Sequence, residues 1–435
     1  MFENRKSINS FRYIFLLYIS VIVVFSLLYI IPFSNQGTLK YIDALFISSS
    51  ALSVTGLSTV DVSQTLSRVG QGMLIAEMQL GGIGILVLVS YLFLMMGKRI
   101  TMSSMLLISK DQNQNNLKTI KSLSFSVLII AVIIETLLTL AIYGDVRKVV
   151  HNSSDALFIS IFHSVASFTN AGFYLVDMNY FKTDESFLLA TAATIFIGSI
   201  GYPTIMEYIF SFRKKKSLFT KINIRMHFLL LAIGAVSYLV LEGQNILKNL
   251  SLGDKIINSL FLSASTRSGG LSTIEIGGLS STTLLILMCL MFIGGASSST
   301  GGGIRLTTFR VLIAKMASVV RSRESTVIGK KTITQEAINK SFLVFVSFVL
   351  LSFISTIILS MFEHQSVDTL SFEVMSALTN TGLSMGITSQ LCGFSKFVLM
   401  ILMIIGRIGI FTFIYLIFKV ESSKVKYLKE DLAVG

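Results

Sequence analysis

Long apolar runs recur along this chain, and between them lie shorter segments that mix apolar with small polar residues. The same order occurs four times: a long apolar span, a short semi-polar segment, a turn of small residues, and a second long span. The short segments are DALFISSSALS from Asp43, DALFISIFHSVASF from Asp155, DKIINSLFLSAST from Asp254 and DTLSFEVMSAL from Asp368. A run of about 10 to 14 residues is too short to cross a bilayer but suits a helix that dips in and stops, whereas about 18 apolar residues cross. The Asp opening each segment is expected to cap the helix by accepting its orphan first-turn amides. The pattern predicts an all-α integral membrane protein of four tandem span–pore-helix–span repeats, with eight transmembrane helices and four re-entrant pore helices around a central pseudo-fourfold ion pore. The repeats are read as residues 1–115, 116–220, 221–335 and 336–435, the last including a C-terminal tail.

Where each short helix stops, the chain reads SVTGLS (Ser53 to Ser58), TNAGFY (Thr169 to Tyr174), RSGGLS (Arg267 to Ser272) and TNTGLS (Thr379 to Ser384), with a glycine followed by Leu or Phe in all four. A lone glycine in a membrane protein reads as helix packing or a turn. Four of them, each after an Asp-led short helix and before a second span, point elsewhere. Irregular backbone at membrane depth survives only where protein buries it or water reaches it. Four such turns around one axis supply a ring of carbonyl oxygens that replaces a cation's hydration shell, and the helix C-terminal ends turn their negative dipoles to the same cavity. The candidate ion-binding residues are Val54, Thr55, Gly56, Asn170, Ala171, Gly172, Ser268, Gly269, Gly270, Asn380, Thr381 and Gly382.

The second span of the third repeat interrupts itself. Its apolar run from Leu284 to Gly295 reaches about 18 Å at ~1.5 Å per residue, short of the ~30 Å hydrocarbon core. The break at Gly294, Gly295, Ala296, Ser297, Ser298, Ser299, Thr300, Gly301, Gly302 and Gly303 therefore falls inside the membrane, beneath the turns, as a flexible polar loop. A phosphate-cradling reading fails for want of a Gly-Lys-Ser/Thr ending and a preceding strand. Arg407, halfway along the last span, needs interior acceptors at that depth. The carbonyls and hydroxyls of the break could serve, and a structural tie and a direct barrier to cations both stand. Glu77, Glu135 and Glu207 fall in apolar spans without recurring in every repeat, which favours structural hydrogen bonding over a relay. His163 beside Ser164 lacks an oriented acid and is read as a pore-helix residue.

Composition agrees: 52% of the 435 residues are hydrophobic and 14% charged, and mean hydropathy is +0.76. Cys289 and Cys392 form neither a disulfide framework nor a metal site. The apolar stretch after MFENRKS is as long as a span and lacks an evident cleavage site, so it is read as a retained first span. The net charge of +13 suggests nucleic acid at first sight, but the basic residues fall in blocks between spans, and nucleic acid is excluded as a partner. Most of them lie in alternate segments: Arg5 to Arg12, Lys98 to Lys121, Arg213 to Arg225, Arg305 to Lys340, and Lys419 onward. The opposite segments hold only Lys40, Arg68, Arg147, Lys148, Lys182, Lys248, Lys255 and Lys396, with Arg267 and Arg407 left at membrane depth. The bias places both termini in the cytosol of a multi-pass protein.

The four turns, the span–loop–span order and the GGASSSTGGGIR break resemble the Trk/Ktr/HKT superfamily of potassium transporters, most nearly the Ktr membrane subunit, over essentially the whole chain. The resemblance implies a plasma-membrane protein that is not an enzyme, needs no cofactor, and conducts potassium inward as substrate. It implies that glycine at all four filter positions favours potassium, that Gly294 to Gly303 is an intramembrane gating loop, and that Arg407 is its pore-facing neighbour. It also implies a homodimer on a cytosolic ring of nucleotide-binding (RCK-type) regulatory subunits. Sodium as an activator stays open. The basic stretch Arg310 to Lys340 reads as a docking face for that ring or for anionic lipid. The competing readings are a proton- or sodium-coupled secondary transporter, which more often shows inverted repeats and midplane ionisable pairs, and an intramembrane enzyme, for which convergent catalytic groups are lacking.

Overall fold

The computed structural model describes residues 2–37, 39–84, 117–210, 215–410 and 413–414. The basic residues Lys98, Arg99, Lys110, Arg213, Lys214 and those from Lys419 on, the boundary near residue 115 and the C-terminal tail lie outside the described residues.

The helices follow one order four times. A long helix comes first: α1 (Phe2–Ile30), α5 (Leu117–Val149), α9 (Leu218–Glu242) and α13 (Gln335–Phe362). A short one follows: α2 (Tyr41–Ser53), α6 (Ser153–Thr169), α10 (Leu252–Ser265) and α14 (Val367–Leu378). After a turn, and in the first quarter the one-turn α3 (Val62–Thr65), a third helix begins: α4 (Arg68–Ile83), α7 (Glu185–Ile200), α11 (Ser281–Phe292) and α15 (Gly393–Ile408). Two helices continue broken third elements, α8 (Tyr202–Phe210) after α7 and α12 (Leu306–Val320) after α11. A two-stranded antiparallel hairpin, β1 (Val327–Ile328) with β2 (Lys331–Thr332), follows α12 and departs from the purely helical expectation.

Among the described residues four helices are long and apolar enough to cross a membrane, within α1, α5, α9 and α13, or five if α7 and α8 count as one span bent by 99°. The expected second span of each quarter is not one continuous helix. Its break has a backbone cause in three quarters: Gly84 (φ 98°, ψ 125°), Gly201 (φ 93°, ψ 132°) and Gly409 (φ 92°, ψ 139°) stop α4, α7 and α15 in nearly one conformation. A side chain there would be strained, because positive φ of this kind is essentially reserved to glycine. The third quarter replaces that glycine with the loop from Ile293 to Arg305.

The expected Asp caps are corrected. Asn152, Ser251 and Ser366, each preceding its helix, accept the first-turn amides, while Lys40 makes no side-chain cap. Short polar side chains at that position reach the orphan amides, whereas the aspartates sit one turn in. Asp155 and Asp254 accept from the caps Asn152 (2.9 Å) and Ser251 (2.7 Å). Asp43 and Asp155 also take cations from another quarter: Lys396 Nζ reaches Asp43 at 2.9 Å, and Arg68 reaches Asp155 at 2.5 Å.

The apolar core is divided between neighbouring quarters. One cluster joins Ile47, Leu74 and Met78 to Phe162 and Phe173; a second joins Ile142, Phe187 and Ile195 to Phe261. A third joins Tyr238, Leu262 and Leu287 to Phe372, and a fourth closes the circle with Leu370, Leu399 and Met403 against Phe46. The centre is left to small polar residues, buried on the short helices at Ser48, Ser50, Ser164, Ser167, Ser263 and Ser376. Except at Ser167, their hydroxyls bond to their own helices, to the turns or across to neighbours, as Ser164 does to Ser160 O (2.7 Å), so these five are buried without loss of hydrogen bonding.

Candidate functional site

A residue of positive φ follows each short helix, at its cap in the first two quarters and within the turn in the last two. Val54 (φ 59°), Asn170 (φ 61°), Ser268 (φ 91°) and Asn380 (φ 51°) stand two places before the turn glycines, and Gly56 (φ 95°), Gly172 (φ 69°), Gly270 (φ 67°) and Gly382 (φ 89°) repeat the positive angle. A β-branched valine in this region is an outlier that costs about 1–3 kcal/mol and marks an over-determined site. The amides of Thr55, Ala171 and Thr381 close the helix ends onto carbonyls five residues back, at 2.8 to 2.9 Å, and Gly270 does so at 3.2 Å. The first and fourth turns are braced alike: Gly56 N and Gly382 N each donate to a serine Oγ six residues back at 3.0 Å.

The four glycines close a ring. A Cβ placed on Gly56 would meet Ala171 O at 2.5 Å and Gly172 Cα at 2.8 Å; one on Gly172 would meet Gly270 Cα at 3.1 Å and Gly269 O at 3.3 Å. One on Gly270 would meet Thr381 O at 2.6 Å, and one on Gly382 would strike Thr55 O and reach Gly56 Cα at 3.2 Å. The carbonyls of Thr55, Ala171, Gly269 and Thr381 thus each lie against the glycine of an adjacent turn. At Gly56, Gly270 and Gly382 only a residue without a side chain allows the backbones this close.

On one side of the ring the glycines and the residues after them line a cavity of about 550 Å³, with Asp61 and Glu275 on its wall. On the other side lies the loop, which touches the residues two places before three of the glycines. Asn170 Nδ2 donates to Thr300 Oγ1 (2.8 Å), Gly302 N donates to Ser268 Oγ (2.8 Å), and a Cβ on Gly302 would meet Asn380 Oδ1 at 2.7 Å. The side chains of Asn170, Ser268 and Asn380 therefore serve the loop and the packing between turns. Asn380 Nδ2 also reaches Thr55 Oγ1 (2.9 Å) and Met403 O (2.8 Å).

Hydrogen bonds tie the loop to the elements around it. Gly294 N and Gly295 N bond to Ile304 O and Gly302 O (both 3.1 Å), pinching the loop's base. Ala296 N donates to Ser199 O (3.0 Å), Thr300 N to Gly198 O (3.3 Å), and Tyr202 N to Ser298 O (3.0 Å), so the end of α7 and the start of α8 hold its flank. Arg407 donates to Thr300 O (2.5 Å), to Gly81 O and to Gly82 O (3.2 Å), bridging the loop to α4. Burial of so many amides and carbonyls at membrane depth requires these partners.

Several residues here escaped the sequence reading. Arg305 belongs to the loop, donating to Gly301 O and to Ala296 O (3.3 Å), not to the basic face. Arg267, 2% exposed, donates to His227 O (3.2 Å) and Gly294 O (3.3 Å) and lies 3.1 Å from His227 Nδ1. His227 Nε2 in turn lies 3.1 Å from Ser199 Oγ. A signal was present: Gly81-Gly82-Ile83-Gly84, Gly198-Ser199-Ile200-Gly201 and Gly406-Arg407-Ile408-Gly409 share one G-x-I-G pattern. Cβ atoms on Gly81, Gly198 and Gly406 would strike Leu52 O, Phe168 O and Leu378 O, each four residues before a ring glycine. The pattern sets Gly82, Ser199 and Arg407 in equivalent places, with Ser199 and Arg407 bonded to the loop and Gly82 to Arg407.

The three carboxylates singled out by sequence each accept hydrogen bonds. Glu77 accepts from Tyr29 (2.7 Å) and Ser48 (2.5 Å), and Glu135 from Gln79 (2.6 Å). Glu207 lies beyond the bend and accepts from Ser217 N (2.6 Å) and Ser217 Oγ (2.7 Å) at the start of α9. Glu373, not singled out by sequence, braces the fourth turn through Ser384 (2.5 Å), Met385 N (3.0 Å) and Thr388 (3.0 Å). His163 packs inside α6 beside Thr191 (3.1 Å).

Residues 5–427 match the family described as TrkH, cation transport protein. The chain is 36% identical over 440 residues to Ktr system potassium uptake protein D of Bacillus subtilis (strain 168), across 99% of this chain and 98% of that protein. It is 30% identical over 426 residues to Ktr system potassium uptake protein B of the same organism, across 95% and 94%. The crystal structure of the potassium transporter TrkH from Vibrio parahaemolyticus superposes with a TM-score of 0.77 at 19% identity, covering 95% of this chain and 85% of that one, a likeness of fold. With the family matched over nearly the whole length, this chain belongs to the TrkH family of cation transport proteins.

Proposed function

We propose that this protein is the potassium-translocating membrane subunit of a Ktr-type uptake system in the cell membrane, with both termini cytosolic. The observation that carries the reading is the closed ring of four glycine turns between an acid-walled cavity and an arginine-tied loop. The names of the two Bacillus relatives support potassium as the ion. In this reading the four quarters are span–pore-helix–span repeats. Asp61 and Glu275 raise the local cation concentration at the outer mouth. The carbonyls of Thr55, Ala171, Gly269 and Thr381 replace water around the ion, helped by the negative C-terminal ends of α2, α6, α10 and α14. The loop from Gly294 to Gly303 then blocks the path, and the guanidiniums of Arg305 and Arg407 oppose a passing cation. Conduction needs the loop's hydrogen bonds released, at about 1 kcal/mol net each, a step suited to control by a cytosolic nucleotide-binding ring beneath a homodimer. The protein is then a gated conductor and not an enzyme, with sodium as an activator open to measurement.

Potassium flux in proteoliposomes tests the reading. Arg407→Gln removes the bridge from Thr300 to α4 and is expected to raise potassium flux severalfold without abolishing preference over sodium. A folded Arg407→Gln protein conducting no faster than the parent would leave Arg407 a support only, and flux that requires a proton or sodium gradient would favour a coupled transporter.

A further inference from the structure

A second cavity, of about 600 Å³, opens on the face of the basic segments, far in sequence from the ring. Lys215 lines it from the segment before α9, Lys221 and Arg225 from the first turns of α9, Arg310 from α12, and Lys330 and Lys331 from the hairpin. No Asp or Glu is among its lining residues, and its floor is apolar, with Leu218, Ile222, Met226 and Ile328. Basic side chains converging from three elements on one cavity repel one another unless an anion sits between them.

The surroundings say which anion. Lys221 and Arg225 stand one turn apart on α9, and the same side of that helix continues with Leu229, Ile233, Val236 and Val240, all exposed. A stripe of exposed aliphatic residues on a span-length helix is a lipid-facing stripe, and the cations stand where it ends, at the level of phospholipid headgroups. From these positions we infer that the cavity between α9, α12 and the hairpin binds the phosphate of an anionic phospholipid, with an acyl chain lying along Leu229 and Ile233. The inference rests on the membrane orientation proposed above. Arg310 lies five residues beyond Arg305, which holds the loop, and Leu306 and Phe309 pack on Met226 and Leu230. A headgroup bridging Arg225 and Arg310 therefore fixes α12 against α9 and biases the helix on which the loop is mounted.

The test measures lipid binding directly, so that its outcome does not depend on transport. The full chain in detergent is titrated with fluorescent phosphatidylglycerol, and Lys221→Gln/Arg225→Gln/Arg310→Gln is compared with Lys221→Arg/Arg310→Lys, which keeps the charges. The expected loss in the neutral triple variant is on the order of a hundredfold, from about one surface-charge contribution per residue, while the charge-keeping variant binds as the parent does. Phosphatidylcholine is expected not to compete, and inorganic phosphate to displace little. Unchanged phosphatidylglycerol affinity in the triple variant overturns the site. Full displacement by inorganic phosphate overturns the lipid assignment in favour of a soluble anion, and loss of a cytosolic protein partner with lipid affinity intact overturns it in favour of a protein-docking face.

Discussion

The four ring glycines are not equally constrained. A Cβ on Gly172 meets nothing nearer than 3.1 Å, whereas one on Gly56 lies 2.5 Å from Ala171 O and one on Gly382 strikes Thr55 O. Gly172→Ala is therefore expected to cost about 1–2 kcal/mol, the usual penalty of the left-handed region, and to keep potassium preference largely intact. Gly382→Ala has to move the backbone of the first turn and is expected to lose that preference. Potassium-to-sodium flux ratios of the two folded variants measure the difference, and equal loss in both would place the constraint outside the ring. The glycine positions were legible in the sequence because each recurs in one register. The role of their neighbours was not, since the side chains of Asn170, Ser268 and Asn380 turn to the loop and the packing, which depends on a segment up to 130 residues away.

Between elements, the two cross-quarter ion pairs differ in burial. Lys396 and Asp43 join α15 to α2 with side chains 11% exposed, while Arg68 and Asp155 join α4 to α6 at 43% and 46%. Removing one partner of a buried pair strands a charge at about 3–5 kcal/mol, and an exposed pair contributes below about 1 kcal/mol. Lys396→Met is thus expected to lower the thermal stability of the detergent-solubilised protein markedly, and Arg68→Met hardly at all. Similar midpoints for the two variants would contradict the assignment of Lys396 as the closure between first and last quarters. The short helices themselves were readable from their length and small polar residues. Their caps were misread, because Asp stands at the head of each apolar run while the capping Asn or Ser lies up to three residues earlier.

For the whole molecule, the proposed conduction through the carbonyl ring predicts transport driven by the membrane potential alone. At ~2.3 kcal/mol per charge per 100 mV, an inside-negative potential of about that size sustains roughly fiftyfold accumulation. Liposomes holding this chain alone are expected to accumulate potassium under such a potential and to lose that accumulation when an ionophore collapses it. Uptake against a gradient at zero potential, with no sodium or proton gradient, would sink passive conduction. Under the same proposal, a nucleotide effect on flux is expected only when a cytosolic partner is present to shift the population of open loops.

The membrane class, the fourfold order, the ring glycines and the position of the break along the chain were all readable before folding, because these follow from local quantities: run length, hydropathy, glycine and the register of one repeat on the next. The sequence left open which breaks matter. Gly84, Gly201 and Gly409 look like ordinary helix glycines until their shared backbone angles appear. It took the folded chain to show that hydrogen bonds tie the loop to α7 and α8, that Arg305 faces inward, and that Arg267 and His227 link a turn to it. Apart from the short-range contacts of Arg305 and the loop's own base, these contacts join residues tens to hundreds of positions apart, and a hydrogen bond at that separation leaves no periodic trace in the chain that makes it.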